Sequence, residues 1–477
     1  MSSLKQQIIS GVFYTAVAKY SGIIISLVVM AVLARLLTPG DFGVVAIATV
    51  FINFFNIFTN IGISSAIVQF KELTKRQINE IYMFTIWMGL LLSLLFAISS
   101  PFISAYYQDE RLLSISLWLS ISLFFSSAGI VPNSLFFKDK EFKFIAWRSF
   151  TIQVLTGLLS IIAAWIGAGL YTLLIQPILS NLLIFVISLK RYPQCLIWTT
   201  GLFSLKQIWG YSMYQFLFNV MAYFIRNLDK MLIGRYISMV ALGYYEKSYR
   251  LMSLPIQNLT YVVTPVLHPL LSDYQNDNKR LGEINERMFR FLAFIGFPLS
   301  IGLCFCAKEL VLLFFGSQWE ASIPAFKILA LSCGFQIIMS SSGSFFQSNN
   351  DTRGQFICGL FTALVTCSGY LISIIFYPTL EGFAWSILLS YLLSFLQCYW
   401  QLYRFSLQRS LTVLCKQIVS PLVVTAIMAI ALWTLTEFFV FNSIWGNLLL
   451  KGIVGISIWL VYIKITHESF FQLLKRQ

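Results

Sequence analysis

Charge is what this chain has least of. Asp, Glu, Lys and Arg make up 11% of its 477 residues, less than half of the roughly 25% found in soluble domains. Histidine is nearly missing too, with only His268 and His467, and the eight cysteines form no Cys-x-x-Cys pair. That excludes the usual zinc and iron–sulfur ligand sets. The cysteines lie almost entirely in apolar runs and read as small buried side chains. No Gly-rich loop ending in Lys-Ser/Thr, no His-Glu-x-x-His and no Gly-x-Ser-x-Gly occurs. A built-in ATPase, a zinc peptidase and a serine hydrolase are therefore not expected. Asp109-Glu110 is the one adjacent acidic pair considered, and neighbouring carboxylates in a loop do not converge on one reacting atom. No polar stretch is long enough for an extramembrane domain, since the longest loops are about 69–80, 138–148, 190–209 and 273–289. The chain is expected to be no enzyme, with no metal and no organic cofactor.

What the chain does have is apolar sequence. Hydrophobic residues make up 58% of it and aromatics 16%, including 44 Phe, and the mean hydropathy is +0.78. A bilayer span needs about 20 apolar residues. The pattern predicts fourteen spans, at 8–34, 43–68, 81–105, 112–136, 149–168, 171–189, 210–237, 246–272, 290–315, 323–347, 355–377, 383–403, 413–438 and 444–464. The polar start Met1–Gln7 is followed by an apolar run too long for a signal-peptide core, so it reads as the first helix. With the N-terminus in the cytoplasm, 22 Lys and Arg fall on that side, 8 on the other and three within spans. The excess puts both termini inside the bacterial cell, in a multi-pass inner-membrane protein. The net charge of +14 is dispersed among these helices rather than gathered on one soluble face, so no nucleic-acid partner is expected.

A short repeat divides the chain. Leu33-Ala34-Arg35-Leu36 leads to Gly43, and two hundred residues later Ile233-Gly234-Arg235-Tyr236 leads to Gly243. Each stretch closes the first helix of a half and opens the next. The organisation predicted is an all-α polytopic protein: a six-helix bundle over 1–200, a second over 201–408, and a final helix pair with a cytoplasmic tail over 409–477, with a central cavity between the bundles. Pro255, Pro265 and Pro269 cluster in the eighth span and predict a bent or hinged helix.

Against this apolar background a few polar side chains stand out. A charge within a span costs about 2.5–3.5 kcal/mol on insertion scales, so it faces a cavity or a partner. Lys19 lies near the middle of the first span and reads as a cavity-facing cation or a paired structural lysine. Arg226, Asp229 and Lys230 follow at i, i+3 and i+4 in the seventh span and share a helical face. Asp229 can neutralise one of the two cations, which leaves the other. Arg as a fork and Lys as a point charge both suit phosphate, so Lys19, Arg226 and Lys230 are the candidate binding residues for an anionic substrate. Asp229 is the sole acidic candidate within a span for coupling to a proton or sodium gradient. Asn53, Asn56, Asn60, Asn219 and Gln257 are candidate polar lining for a hydroxyl-rich sugar, or hydrogen-bonding links between helices.

Several stretches resemble a known family. Leu33-Ala34-Arg35-Leu36-Leu37-Thr38-Pro39-Gly40-Asp41-Phe42-Gly43 resembles the first-loop signature of bacterial polysaccharide flippases, as does the run Asn60-Ile61-Gly62-Ile63-Ser64-Ser65-Ala66-Ile67-Val68-Gln69. Asn227-Leu228-Asp229-Lys230 with Ile233-Gly234-Arg235, then Leu242-Gly243-Tyr244-Tyr245, resembles the second half of that family, and Phe315-Gly316 with Trp319 resembles a later motif of it. The likeness is to the Wzx-type exporters of lipopolysaccharide, capsule or exopolysaccharide units, in the MATE-like superfamily that also holds the lipid II flippase. It implies two helical bundles around a cavity and transfer of an undecaprenyl-pyrophosphate-linked oligosaccharide across the inner membrane by alternating access. On that reading the partners are the anionic lipid-linked oligosaccharide, membrane lipids and a polymerase with its export machinery. The lipid tail would stay in the bilayer between the bundles, with the last two helices as a candidate groove for it. The alternatives are a multidrug cation antiporter of the same superfamily, which would want more acid than one in-span Asp, and a membrane polysaccharide polymerase or ligase, which would want a larger external loop.

Overall fold

In a computed structural model of the chain, residues 2–59, 62–70, 72–196, 220–272, 274–275, 277–438 and 443–465 are described, and among them there is no strand. The chain divides into two compact units, Met1–Gly243 and Tyr244–Gln477. The first holds α1 (Ser2–Leu36), α2 (Pro39–Thr59), α3 (Ile63–Gln69), α4 (Lys75–Tyr107), α5 (Arg111–Ala128), α6 (Ile130–Lys138), α7 (Phe142–Trp165), α8 (Thr172–Arg191) and α9 (220–236). It also includes the opening turn of α10 (Met239–Ser272).

Local sequence explains where these helices start. Thr38 precedes Pro39, whose missing N–H costs nothing in a first helical turn. The Asp41 Oδ2 accepts from the Thr38 N–H at 3.1 Å and from its hydroxyl at 2.7 Å, while the Asp41 N–H donates to Thr38 Oγ1 at 3.3 Å. This reciprocal cap satisfies donors that a helix start leaves open. Thr74 and Gln77 form the same kind of box at the start of α4. Helix packing relies on small residues. A Cβ on Gly89 of α4 would come within 2.8 Å of Ser127 Cβ on α5, and Ser127 Oγ donates to the Thr85 carbonyl at 2.7 Å. Such contacts replace the hydrophobic drive that lipid does not supply. Within the unit, α4 lies on α5, α1 along α7, and α8 against both α5 and α7.

The second unit holds the rest of α10, α11 (Asn278–Phe305), α12 (Ala307–Phe314), α13 (Ile323–Met339), α14 (Ser342–Ser348), α15 (Thr352–Phe376), α16 (Leu380–Gln401), α17 (Leu411–Phe438) and α18 (Ile444–Ile465). Here α11 packs on α13 and α17, and α16 on α13 and α15. Gly296 of α11 and Gly334 of α13 let two backbones meet, and the Gly334 N–H donates to Ser300 Oγ at 2.6 Å.

Among the described residues, twelve helical segments are long and apolar enough to cross a bilayer. They match twelve of the fourteen predicted spans. The other two are α9, whose predicted span begins at 210 and so lies partly outside the described residues, and α10, which carries Glu246, Lys247 and Arg250 near its start. Two details differ from expectation. The stretch 273–289 is mostly helix, because Asp277 caps Arg280 at 2.9 Å and starts α11 early. The fourth span is broken at Gly129, three residues before Pro132, into α5 and α6. The eighth span, with Pro255, Pro265 and Pro269, falls within one helix, α10.

The repeat is visible in the backbone. Helix α1 ends at Leu36 and α2 begins at Pro39, while α9 ends at 236 and α10 begins at Met239. Thr38 and Ser238 occupy equivalent cap positions, and the Ala241 N–H donates to Ser238 Oγ at 3.0 Å. The two turns also touch each other. A Cβ on Gly43 would fall on the Met239 carbonyl oxygen, and a Cβ on Gly243 would fall on the Pro39 carbonyl oxygen. Since 43 pairs with 239 and 243 with 39, the contact has an internal two-fold symmetry.

Candidate functional site

Helix α9 carries the densest set of predicted site residues. Arg226 is exposed, Lys230 half-buried and Asp229 buried. The Asp229 carboxylate accepts the backbone N–H of Lys230 at 2.8 Å. Neighbouring Asn227 donates to the Tyr223 carbonyl one turn back, at 2.9 Å. Lys19 is exposed on α1. On α2, Asn53 is exposed and Asn56 half-buried, with its Oδ1 buried and without a hydrogen bond among the described residues. Asn60 and Asn219 lie outside the described residues. Gln257 is exposed on α10 and belongs to the second unit. Six of the nine predicted residues, Lys19, Asn53, Asn56, Arg226, Asp229 and Lys230, are therefore described in the first unit.

Helix α9 is held on the first unit by aromatic and hydroxyl contacts. The Tyr223 hydroxyl donates to the Val50 carbonyl of α2 at 2.6 Å, and the Tyr107 hydroxyl of α4 donates to the Met231 carbonyl at 3.4 Å. Phe54 of α2 lies 4.9 Å from the Phe224 ring, and the Arg235 guanidinium sits 5.0 Å above the Tyr106 ring. Between α2, α4 and α9 these contacts leave a cavity of about 360 Å³. Phe51, Phe54 and Phe55 line it from α2, Ser99, Phe102 and Tyr106 from α4, and Tyr223, Phe224 and Met231 from α9. The sequence reading missed it. Its lining looks like ordinary lipid-facing sequence until three helices far apart in the chain are brought together.

Several charges that the topology count places on one or other side of the membrane are drawn into the helical body. Arg148 is buried on α7. Its Nη1 donates to Ser188 Oγ at 2.8 Å and its Nη2 to Asn133 Oδ1 at 2.7 Å, and it stacks 5.1 Å over the Phe136 ring. Lys247 is buried on α10, 5.8 Å from both the Phe315 and Trp319 rings, so the Phe315-Gly316/Trp319 motif builds a packed cage around a cation. Lys451, on α18, pairs with Glu309 of α12 at 2.5 Å and donates to the Phe305 carbonyl at 2.9 Å. Arg409 pairs with Glu286 and, at 3.7 Å, with Glu283. Lys247 and Lys451 lie inside predicted spans, and that position was the available signal.

The twelve apolar helical segments, and the absence of strands among the described residues, define an all-helical multi-pass membrane protein. The sequence profile described as polysaccharide biosynthesis protein matches residues 32–324, and the chain belongs to that family. It is 26% identical over 442 residues to the teichuronic acid biosynthesis protein TuaB of Bacillus subtilis, covering 90% of this chain and 89% of that one. It is 25% identical over 335 residues to the lipopolysaccharide biosynthesis protein WzxC of Escherichia coli, covering 69% and 67%. Among solved structures, the lipid II flippase MurJ in an inward closed conformation superposes with a TM-score of 0.75 at 16% identity, covering 96% of this chain and all of that one. That likeness establishes the fold.

Proposed function

We propose that this protein is a flippase that moves an undecaprenyl-pyrophosphate-linked oligosaccharide from the cytoplasmic to the periplasmic leaflet of the bacterial inner membrane, by alternating access. The observation that carries this reading is the cationic face of α9, exposed Arg226 with half-buried Lys230, in an apolar chain of a polysaccharide biosynthesis family. Cations held among apolar helices suit a diphosphate, which Arg grips as a fork and Lys as a point charge. Lys19 supplies a further cation from α1, and Asn53, Asn56, Asn60, Asn219 and Gln257 offer hydrogen bonds to sugar hydroxyls. Asp229 is the candidate for coupling to a proton or sodium gradient. The working arrangement is a bundle over 1–200, a second over 201–408 and a last helix pair over 409–477, with both termini in the cytoplasm and the product passed to a polymerase and its export machinery.

The test is movement of a pyrophosphate-linked oligosaccharide lipid across vesicles that contain the purified protein. Loss of one charge-assisted contact costs about 1.5–3 kcal/mol, so Lys19→Ala and Arg226→Ala are each expected to slow movement about tenfold or more while still inserting normally. Undiminished movement in both variants would remove the cationic site. No movement under any imposed ion gradient would return the protein to the drug-efflux and polymerase readings.

A further inference from the structure

Among the described residues, the cavity of the first unit offers a ligand almost no polar group. Its tyrosine hydroxyl at 223 is used on the Val50 carbonyl, and the Ser99 hydroxyl donates to the Phe96 carbonyl at 2.8 Å. The rest of the lining is rings and aliphatic side chains, apart from the Tyr106 hydroxyl. A headgroup placed there would lose its hydrogen bonds with water and find few in return, whereas a hydrocarbon would lose nothing. An apolar cavity of about 150 Å³ takes a benzene molecule, so about 360 Å³ has room for roughly two such pieces of chain.

Two features say what kind of molecule brings the hydrocarbon. The first is a track. Leu91, Leu95, Ile98, Phe102 and Tyr106 are all exposed on α4, at spacings that place them on one stripe. The stripe is about 22 Å long at 1.5 Å per residue, and it ends at the cavity, which Phe102 and Tyr106 line. An acyl chain of a bilayer lipid occupies one leaflet, about half of a 30 Å hydrocarbon core, and is too short to follow the whole track. The second is charge. Tyr223 lines the cavity, and Arg226 and Lys230 follow it at i+3 and i+7 on α9. Seven residues return a helix to within about 20° of its starting direction, so Lys230 follows the direction of Tyr223 along α9, and Arg226, three residues on, lies about 60° further from the cavity; neither is itself part of the lining.

We propose that this cavity holds a segment of the polyprenyl chain of the lipid-linked substrate, which runs along α4 and ends with its phosphate at Arg226 and Lys230. The assignment rests on the flippase reading, and it places the tail in the first unit instead of at the last two helices. A diazirine-bearing polyprenyl phosphate, photolysed with the protein in phosphatidylglycerol nanodiscs, tests it. Adducts mapped by mass spectrometry are expected on the cavity-lining residues of α2, α4 and α9. Unlabelled polyprenyl phosphate should compete them away at least tenfold, and the surrounding excess of phosphatidylglycerol should not. Ser99→Trp, which fills the cavity, should reduce them at least tenfold. Phe102→Ala, at the exposed rim, tests the same site without crowding the interior and should also reduce them.

Adducts concentrated on α17 and α18, or adducts that fall equally with added phosphatidylglycerol, overturn the proposal. The wild-type map alone decides this should a variant not fold. The readout is occupancy, so it fails separately from function. Protein that moves the substrate but labels elsewhere loses the cavity and keeps the flippase reading. Protein that labels here but moves nothing keeps the cavity as a polyprenyl site and loses the flippase.

Discussion

The side chains with the sharpest energetic consequences are those that hold charge where lipid or protein surrounds it. Replacing Arg148 by Met removes two charge-assisted hydrogen bonds, worth about 1.5–3 kcal/mol each, but also removes the desolvation cost of a buried guanidinium, which is several kcal/mol. The net expectation for Arg148→Met is a loss of about 1–3 kcal/mol, measured as thermal unfolding in detergent. A gain in stability would mean that burial costs more than Asn133 and Ser188 return. Asp109, in the turn between α4 and α5, has a different lever. Burial pushes its carboxyl up, but hydrogen bonds and charge from Arg111, at 2.8–3.0 Å, hold it below the usual carboxylate range. A folded value below the unfolded one, about 3.9, stabilises the protein at neutral pH. That contribution fades as the pH falls below the unfolded value and through the folded one. Asp109→Asn should therefore flatten the acid limb of stability as the pH falls below the unfolded value, and an unchanged acid limb would assign it to other carboxylates. The candidate cations of α9 were legible as charges in apolar sequence. Arg148 was not, because it sits only seven residues into α7, beside a basic loop, and hydropathy reads it as part of that loop.

At the scale of helices, hydropathy gave positions well and ends poorly, because ends are set by caps. Thr38 with Asp41, Thr74 with Gln77 and Asp277 with Arg280 decide where α2, α4 and α11 begin. The family stretch Thr38-Pro39-Gly40-Asp41 is the clearest case. It is a helix start whose acid also faces Arg111 at 3.5 Å, and none of its four residues lines the cavity. The turns 37–38 and 237–238 are equivalent in sequence spacing and in backbone, which makes them a direct place to test the repeat. A Cβ on Gly40 would stand 3.4 Å from Val240 Cγ2, one bond beyond Val240 Cβ, which brings the two Cβ atoms near the upper end of the separation a disulfide needs, about 3.5–4.5 Å. Gly40→Cys combined with Val240→Cys should therefore cross-link under mild oxidation, read as a mobility shift that reductant reverses. Failure to cross-link would place the two turns further apart.

For the whole molecule, the all-helical membrane class and the repeat could be read from apolar run length and an offset of two hundred residues. The cavity could not, since Phe51, Phe102 and Phe224 acquire a common purpose only when α2, α4 and α9 meet. Both turns lie in the first unit, but with the bundles divided at 200, as proposed above, alternating access would part them once per cycle. Oxidised Gly40→Cys/Val240→Cys protein should then stop moving lipid-linked oligosaccharide and resume on reduction, with each single variant active throughout. Continued movement by fully cross-linked protein would show that the turns stay together through the cycle. The backbone contact at Gly43 and Gly243 also has a genetic consequence. A steric defect is normally repaired by shrinking the residue opposite, but here the group opposite each glycine is a peptide carbonyl, which no codon change can make smaller. Suppressors of Gly43→Ala are thus expected to map to residues that shift a whole helix. Two glycines two hundred codons apart are tied to each other even if every side chain around them drifts.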